Sequence, residues 1–563
     1  MKRTLQTLSK TEYDLIIVGA GIFGACAAWD AAQRGLRVAI VEKYDFCQGT
    51  SANHYKIVHG GIRYLQHADL VRVRESCRER AALLRIAPHL VQPFPIVIPS
   101  YGHGTSGLAF LRAGFALYDV LTLDRNRAIQ DPEQHIPDGD FLRREEVLEH
   151  FPDLNDRGLT GAAILNEAQY YNPPRLAISF LRSATEVGAD AANYLEVTDF
   201  LRKDEKVIGV KVEDHLEGER FDIRGKMVLL TGGPWSHRIF QKSLGQSLKP
   251  KPTFSRDLAF VVSRKMPTKY GLACSVPSGD KDAIIDRGSR HVFLSPWRGH
   301  TLVGVWHKVF DEPPEALSVQ PRELQSYIDE VNRGYPALNL SLDDISWVNT
   351  GLTLFGDKAK QAENKMSFAK RSRLIDHQQT DQIEGLLTLI GVRATTARGM
   401  AKQAIDLVFK KLNRKTTDCS TDRTSVWGGD IPYIKLFLTE ALRTAPSSLN
   451  EKTMTALVRN YGTQYPGVLK YGIDTRQQEH ETIAETTSLK SEVKHAVEEE
   501  MAQKLSDIVF RRTDLGTCGA PSDAALQTCA ALTGDALHWS GKQIDAELQE
   551  VKALFEKKGF IQK

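Results

Sequence analysis

The stretch that most constrains this chain is YDLIIVGAGIFGACAAWDAAQRGLRVAIVEK, from Tyr13 to Lys43. Asp14 to Val18 reads as a buried parallel strand. Gly19-Ala20-Gly21-Ile22-Phe23-Gly24 forms a GxGxxG turn, and Ala25 to Arg34 is a small-residue helix. Gly19 permits the tight turn, Gly21 lets the backbone approach a pyrophosphate, and Gly24 lets the helix pack closely on the strand. The helix N-terminus then faces the phosphates. A second strand, Arg37 to Val41, ends in Glu42 and Lys43, and an acid at that point can accept the ribose hydroxyls of an adenine dinucleotide. A glycine-rich turn without a ligand is the alternative, and Glu42 at this spacing argues against it.

With 563 residues the chain can bury a large core and should hold two or three domains. Its 73 basic and 70 acidic residues give a net charge of +3, which is no nucleic-acid signature. The first ten residues are too short in their apolar part for a signal peptide, and no run reaches the roughly 18 apolar residues of a spanning helix. We therefore expect a cytoplasmic protein, with peripheral contact at the inner face of a membrane allowed by the slight basic excess. Seven cysteines without a CxxC pair fit a reducing compartment and unpaired thiols.

Along the chain, Asp69 to Ile86 reads as a helix whose arginines form a solvated face, and Phe94 to Pro99 as a short strand. Leu108 to Leu123 is more apolar and is expected to be a buried core helix; it is also the region, with the basic N-terminus, that would touch a membrane. Arg175 to Gly188 is amphipathic. Lys226 to Leu230 runs as a strand into Thr231-Gly232-Gly233-Pro234-Trp235, and Phe254 to Val348 is rich in β-formers. Leu386 to Asp406 again reads strand, glycine turn, helix, and the chain beyond Asp430 is mostly helical.

Downstream of the βαβ unit stand Gly49-Thr50-Ser51 and Lys56-Ile57-Val58-His59-Gly60-Gly61-Ile62-Arg63-Tyr64-Leu65, too long and glycine-dense for an NAD-type crossover. Here the chain resembles the FAD-dependent glycerol-3-phosphate dehydrogenases, whose motif reads GTSS-x-x-x-KLIHGGLRYL. Gly233, Pro234 and Trp235 match the family's ATGPW, while Gly391, Thr395, Thr396 and Arg398 match its GGKxTTYRxMA. Tyr461-Gly462 and the stretch from Arg511 to Gly516 are similar to its C-terminal helical domain. The resemblance spans nearly the whole chain. It implies an α+β flavoprotein with a Rossmann-like FAD-binding domain in three parts (residues 12–100, 171–245 and 351–415). A connecting helical segment (101–170), a β-rich substrate domain (246–350) and a helical C-terminal domain (416–563) complete it.

What the resemblance implies for chemistry is oxidation of a secondary alcohol, with a hydride passed to flavin N5 while a base takes the hydroxyl proton and cationic side chains hold a phosphate. Glycerol 3-phosphate, converted to dihydroxyacetone phosphate, is the leading substrate, and quinone or oxygen the electron acceptor; a homodimer is allowed for. FAD contacts are expected from Gly19, Gly21, Gly24, Glu42, Lys43, Thr50, Ser51, His59, Gly60, Gly61, Gly233, Trp235, Gly391, Thr395 and Thr396. A helix N-terminus after Gly391 can place amides near the flavin pyrimidine oxygen, where negative charge develops. Arg63 and Tyr64 match the family's active-site pair, and Arg371 a phosphate-binding arginine.

Other positions depart from the family pattern. The arginine of SGVRPL falls on Thr353, a histidine before the VVP strand on Ala259, the lysine of GGK on Arg393, and GTTD on Gly304-Val305-Trp306-His307. Threonine cannot replace a bidentate arginine, and losing a charged partner costs about 2–3 kcal/mol. His307 is the first candidate for the missing base, then His59 and Tyr64, against the plainer role of structural hydrogen bonder. His54 stands where a bond to the flavin 8α-methyl occurs in some distantly similar amine-oxidising flavoproteins; a surface or packing histidine is the alternative. Two other readings stand beside the first: a flavin oxidase or dehydrogenase of another alcohol or an amine, and an FAD-binding partner without catalysis.

Overall fold

The computed structural model describes residues 1–102, 107–277, 289–355, 371–472 and 480–558. Two sheets organise the described residues. The first comprises β1 (Glu12–Val18), β2 (Val38–Val41), β7 (Asp190–Ala192), β8 (Leu195–Lys203), β9 (Lys206–Asp214), β10 (Arg220–Leu230), β16 (Arg373–Asp376) and β17 (Leu386–Ile390), ordered β16-β17-β10-β1-β2-β7, with the β8–β9 hairpin attached to β10. Its centre is parallel, with Ile16 of β1 between Val228 of β10 and Ala39 of β2. Strands buried on both faces read as continuous Leu, Ile and Val, as β1 and the end of β10 do.

The second sheet holds β3 (Ile57–Val58), β4 (Val91–Tyr101), β5 (Asp140–Leu142), β6 (Leu159–Tyr170), β11 (Thr253–Val262), β12 (Gly271–Pro277), β13 (Ser289–Trp297), β14 (His300–Phe310) and β15 (Ile345–Phe355). It is antiparallel except where β12 meets β4. The chain thus enters this sheet at β3 and β4, returns to the first at β7, and re-enters the second at β11. Early helices are α1 (Leu5–Lys10), α2 (Ile22–Gln33), α3 (Leu70–Ile86), α4 (Leu108–Leu121), α5 (Arg144–His150) and α6 (Pro173–Glu186). Small residues let α2 lie flat on the first sheet, where Ala25, Ala27, Ala28 and Ala31 are fully buried.

Three expectations are corrected here. The segment 101–170 is not chiefly helical: β6 pairs with β4 from Val91 to Tyr101, so the short strand expected at Phe94 to Pro99 is longer and a partner for it lies within the segment. Helix α4 is not a core helix. Only Phe115 and Tyr118 are buried, whereas Phe110, Leu117, Val120 and the following Leu123 are 57, 52, 64 and 79 % exposed. Nor is the arginine face of α3 simply solvated, because Arg72 and Arg80 are buried and ion-paired with Asp69 and Glu167. Apolar periodicity measures how hydrophobic a face is, and only packing decides whether that face is covered.

The C-terminal helices are tied to the first sheet by buried charge. Asp45, in the loop after β2, accepts from both Arg511 and Arg512, and Arg511 also pairs with Asp507. Arg175 of α6 reaches Glu500 with both side chains fully buried. Against the penalty of burial, Arg512 and Arg511 pull the Asp45 carboxyl down to about 2. Among the described residues, no helix is long and apolar enough to cross a membrane.

Candidate active site

A cavity of about 880 Å³ opens along the C-terminal ends of the first sheet's strands, near the upper end of the roughly 300–1,000 Å³ of ordinary ligand pockets. Gly19, Gly21, Glu42, Lys43, Thr50, Ser51, His54, Gly233, Trp235 and Gly391 all line it. Gly19 has φ +104°, and a Cβ there would meet Gly232 backbone at 2.9 Å. At Gly24 a Cβ would fall 2.0 Å from the Gly19 carbonyl oxygen, so this glycine serves helix-on-strand packing and stands outside the cavity lining. At the N-terminus of α2 the cap position is Gly21, Ser51 Oγ accepts from Ile22 N (3.0 Å), and Gly21, Ile22 and Phe23 border the cavity. That is a cradle for a pyrophosphate.

At one end, Glu42 accepts from Ala20 N (2.7 Å) and Tyr44 N (3.3 Å). Burial raises its carboxyl above the ordinary range, and those backbone amides oppose the rise. Lys43 pairs with Glu196 at 3.0 Å, and Trp235 donates to Glu315 at 3.0 Å. At the other end Thr350, Gly351, Leu352, Thr353, Val392 and Ala394 form the wall. A cavity of this size with a buried acid, a helix N-terminus and a glycine turn fits FAD.

His54 lines this cavity; it is neither a surface nor a core histidine. Its Nδ1 donates to the Tyr55 carbonyl (3.1 Å) and its ring meets Tyr170 edge-on at 5.4 Å. Burial, then the charge of Lys56, pushes its pKa down to about 3, so the imidazole is neutral.

A second cluster lies beside the cavity. Between Val392 and Ala394, which line the cavity, Arg393 turns to Tyr64. Its Nη1 donates to the Tyr64 hydroxyl (2.8 Å) and to Ser76 Oγ (2.9 Å), and its guanidinium lies 4.8 Å from the Tyr64 ring centre. Arg72 stands over the same ring at 4.2 Å. Asp69 is held below its ordinary value, against partial burial, by its bonds to Arg72, and the exposed Arg371 contributes to the same shift. Tyr64, Arg72 and Arg393 are therefore brought together, and Arg371 is tied to them only through its electrostatic effect on Asp69. The backbone of Arg63 lies in the 3-10 turn Ile62–His67, and its side chain is outside what the structure describes.

Other expected residues brace this cluster without reaching the large cavity. Thr395 Oγ1 accepts from the amide of the exposed His59 (3.2 Å), and Thr396 Oγ1 donates to the Arg393 carbonyl (3.2 Å). Gly61 has φ +87° and starts the turn that carries Tyr64, while a Cβ on Gly60 would collide with Tyr118 and Arg80. His307 pairs through Nδ1 with Asp257 (2.7 Å) on the second sheet and is not among the residues lining the cavity. Ala259 is packed with Val261, Trp297, Leu302 and Trp347, whereas Thr353 does border the cavity.

Sequence reasoning missed Arg72, Ser76, Glu79 and Arg80. Arg72 and Ser76 serve Tyr64 and Arg393, Glu79 pairs with Arg398, and Arg80 pairs with Glu167. Their spacing, three or four residues apart, marks one polar face of α3, and that stripe was the available signal.

Comparison with known proteins follows this geometry. Residues 14–403 match the FAD dependent oxidoreductase family. The chain belongs to that family. Residues 419–544 match the C-terminal domain of alpha-glycerophosphate oxidase. The chain is 30 % identical to a glycerol-3-phosphate dehydrogenase of Synechocystis sp., over 98 % of each chain. It is 27 % identical to an aerobic glycerol-3-phosphate dehydrogenase of Staphylococcus aureus, over 97 % of this chain and 95 % of that one. Its fold matches that of the glycerol-3-phosphate dehydrogenase from Bacillus halodurans complexed with FAD, with a TM-score of 0.77 at 22 % identity, covering 98 % of this chain and 96 % of the other. The flavoprotein fold and the FAD cofactor expected from the sequence are borne out.

Proposed function

We propose that this member of the FAD dependent oxidoreductases oxidises sn-glycerol 3-phosphate to dihydroxyacetone phosphate. The observation that carries the reading is the arginine pair beside the FAD cavity: Arg393 and Arg72 meet at Tyr64, next to cavity residues Val392 and Ala394. A phosphate ester with two negative charges is the small substrate such a cluster suits, and a planar guanidinium can hold it bidentately where an ammonium could not. Full-length likeness to two glycerol-3-phosphate dehydrogenases supports the same substrate.

Bound in its cavity, FAD supplies the hydride acceptor. The chain's own contribution is to bind and orient. Arg393 fixes the position of the Tyr64 hydroxyl through a charge-assisted hydrogen bond. The test is an anaerobic titration of the purified holoprotein with glycerol 3-phosphate, followed by flavin absorbance near ~450 nm. Bleaching at sub-millimolar substrate is expected; a flavin that stays oxidised at tens of millimolar rejects the reading.

For the electron acceptor we favour a lipid-soluble quinone reached from a membrane surface. The support is the outer face of α4, where Phe110, Leu117 and Val120 are exposed, continued by Leu123 and by Leu70 and Val71 of α3. Arg78, Arg112 and Arg127 are exposed around it, while Asp119 and Asp124 are engaged by Arg125 and Arg74. Such a helix lies flat at an anionic bilayer surface without crossing it.

A further inference from the structure

Behind the Tyr64 turn lies a buried polar group that the binding of FAD and substrate does not use. Gly60 N donates to Glu167 Oε2 of β6, and the same carboxylate is paired with Arg80 of α3. Arg80 Nη1 also donates to the Asn166 carbonyl (2.9 Å). On the carbonyl side of the same residue, Cys77 Sγ donates to the Gly60 oxygen (3.0 Å) and lies 3.2 Å from the Tyr118 hydroxyl. Arg80, Glu167, Cys77 and Tyr118 are 1, 2, 2 and 4 % exposed. Both polar groups of one glycine, three residues before Arg63 and four before Tyr64, are therefore held from two different elements, β6 and α3.

A buried ion pair at this depth is a poor way to gain stability, since desolvating two charges offsets most of their attraction. It is an effective way to fix a direction. The carboxylate cannot move without leaving Arg80 unpaired, and the amide cannot move without losing its acceptor. Space points the same way: a Cβ on Gly60 would lie 2.2 Å from the Tyr118 hydroxyl and 2.3 Å from Arg80 Nη1. The glycine is required by the groups that grip its peptide. Gly61, at φ +87°, then converts that fixed peptide plane into the start of the 3-10 turn.

We infer that Glu167, held by Arg80, is a positioning residue for substrate oxidation: it clamps the Gly60 peptide and so sets where the Ile62–His67 turn presents Tyr64 to Arg393. This rests on the reaction proposed above. Glu167 touches neither Tyr64 nor Arg393; it acts through the backbone.

Two double variants isolate the clamp from the ion pair. Arg80→Met with Glu167→Gln removes both charges and keeps an oxygen for the Gly60 amide. Arg80→Met with Glu167→Met removes both charges and the oxygen. Neither leaves an unpaired buried charge, so both should fold with equal FAD content, which is checked first, the Met,Met variant melting slightly lower for its one unmet donor. Hydrogen exchange of the peptide spanning Gly60 to Tyr64 should be about 10-fold or more faster in the Met,Met variant than in the Met,Gln variant. Its kcat/KM for anaerobic flavin reduction by glycerol 3-phosphate should be about 10–100-fold lower, the size of one unmet buried donor. Equal exchange in the two variants overturns the clamp. Faster exchange with equal reduction rates, where the wild type is reduced, overturns its role in the reaction. If the wild-type flavin is not reduced at all, the substrate reading falls, and the exchange comparison still decides whether Glu167 holds Gly60.

Discussion

The wall formed by β1, α2 and β2 and the cluster around Tyr64 adjoin one another, yet different physics selected their residues. In the wall, each critical residue answers a local demand. Gly19 needs a positive φ, Gly24 must clear a carbonyl five residues back, and Glu42 reaches the amide of Ala20 across one βαβ unit. In the cluster, the partners are remote in sequence: Arg393 meets Tyr64 and Ser76, Glu79 meets Arg398, and Glu167 meets Gly60 and Arg80. The first region is a motif in the strict sense. The second exists only once α3, β6 and the turn before the helix Ala397–Lys411 are packed together.

If this contrast is right, damage in the wall removes the cofactor, whereas damage in the cluster spares the cofactor and removes turnover. The largest effect is expected from Gly24→Val, because its side chain has no room between Gly19 O at 2.0 Å and Thr231 Oγ1 at 2.7 Å. Purified protein should carry no flavin, read from the ratio of absorbance at ~450 nm to that at 280 nm. A yellow, active variant would show that the wall tolerates what the cluster does not.

Next comes Asp45→Asn, which leaves Arg511 and Arg512 short of a buried counter-charge and should cost about 3–5 kcal/mol by denaturant unfolding. The pH dependence has a definite sign. The folded-state pKa lies near 2 against an ordinary 3.8, so the contribution of Asp45 is complete above pH 3.8 and is lost as pH falls towards 2. The variant should lose that acid limb. Retained cofactor in the variant at neutral pH would show that the loop after β2 holds FAD without the C-terminal domain.

Arg393→Met should lower kcat/KM for flavin reduction by about 100-fold, a charge-assisted bond and a phosphate partner being lost together, with FAD content unchanged. Arg393→Lys should recover only part, since the ammonium keeps the charge on a shorter side chain and has no planar pair of nitrogens for a phosphate. Loss of FAD in either would merge the two regions into one.

The smallest effect on chemistry is expected on the outer face of α4. Leu117→Asp with Val120→Asp should leave flavin reduction unchanged and weaken binding to vesicles containing anionic phospholipid by about 10-fold or more, because each exposed apolar side chain contributes about 1 kcal/mol or more when buried. A wild type that ignores such vesicles rejects the membrane contact. A wild-type dimer abolished by the same substitutions would assign the face to a second copy of the chain.

Much of the fold was legible because its signals are short-ranged. The β1–α2–β2 unit, the strand returning at β10 and the strand-turn-helix after Leu386 all formed where the pattern placed them. The failures share a cause. Helix α4 was expected in the core because it is apolar, and the arginines of α3 in solvent because they are charged, and both expectations assume that polarity alone sets burial. His307 was chosen for its strand end and histidine chemistry; it lies in an Asp257 pair apart from the cavity lining, and the polar stripe that serves Tyr64 is on α3 instead.

What the amino-acid sequence determined by itself is the cofactor cradle, since glycine conformation, helix polarity and a strand-end acid are properties of consecutive residues and need no distant partner. Tertiary structure alone decided which arginine meets Tyr64, why Gly60 must be glycine, and which face of α4 stays open. Those outcomes depend on contacts between residues on separate elements, such as Gly60 with Tyr118 and Glu167 and Tyr64 with Arg393, and no local pattern encodes the distance between them.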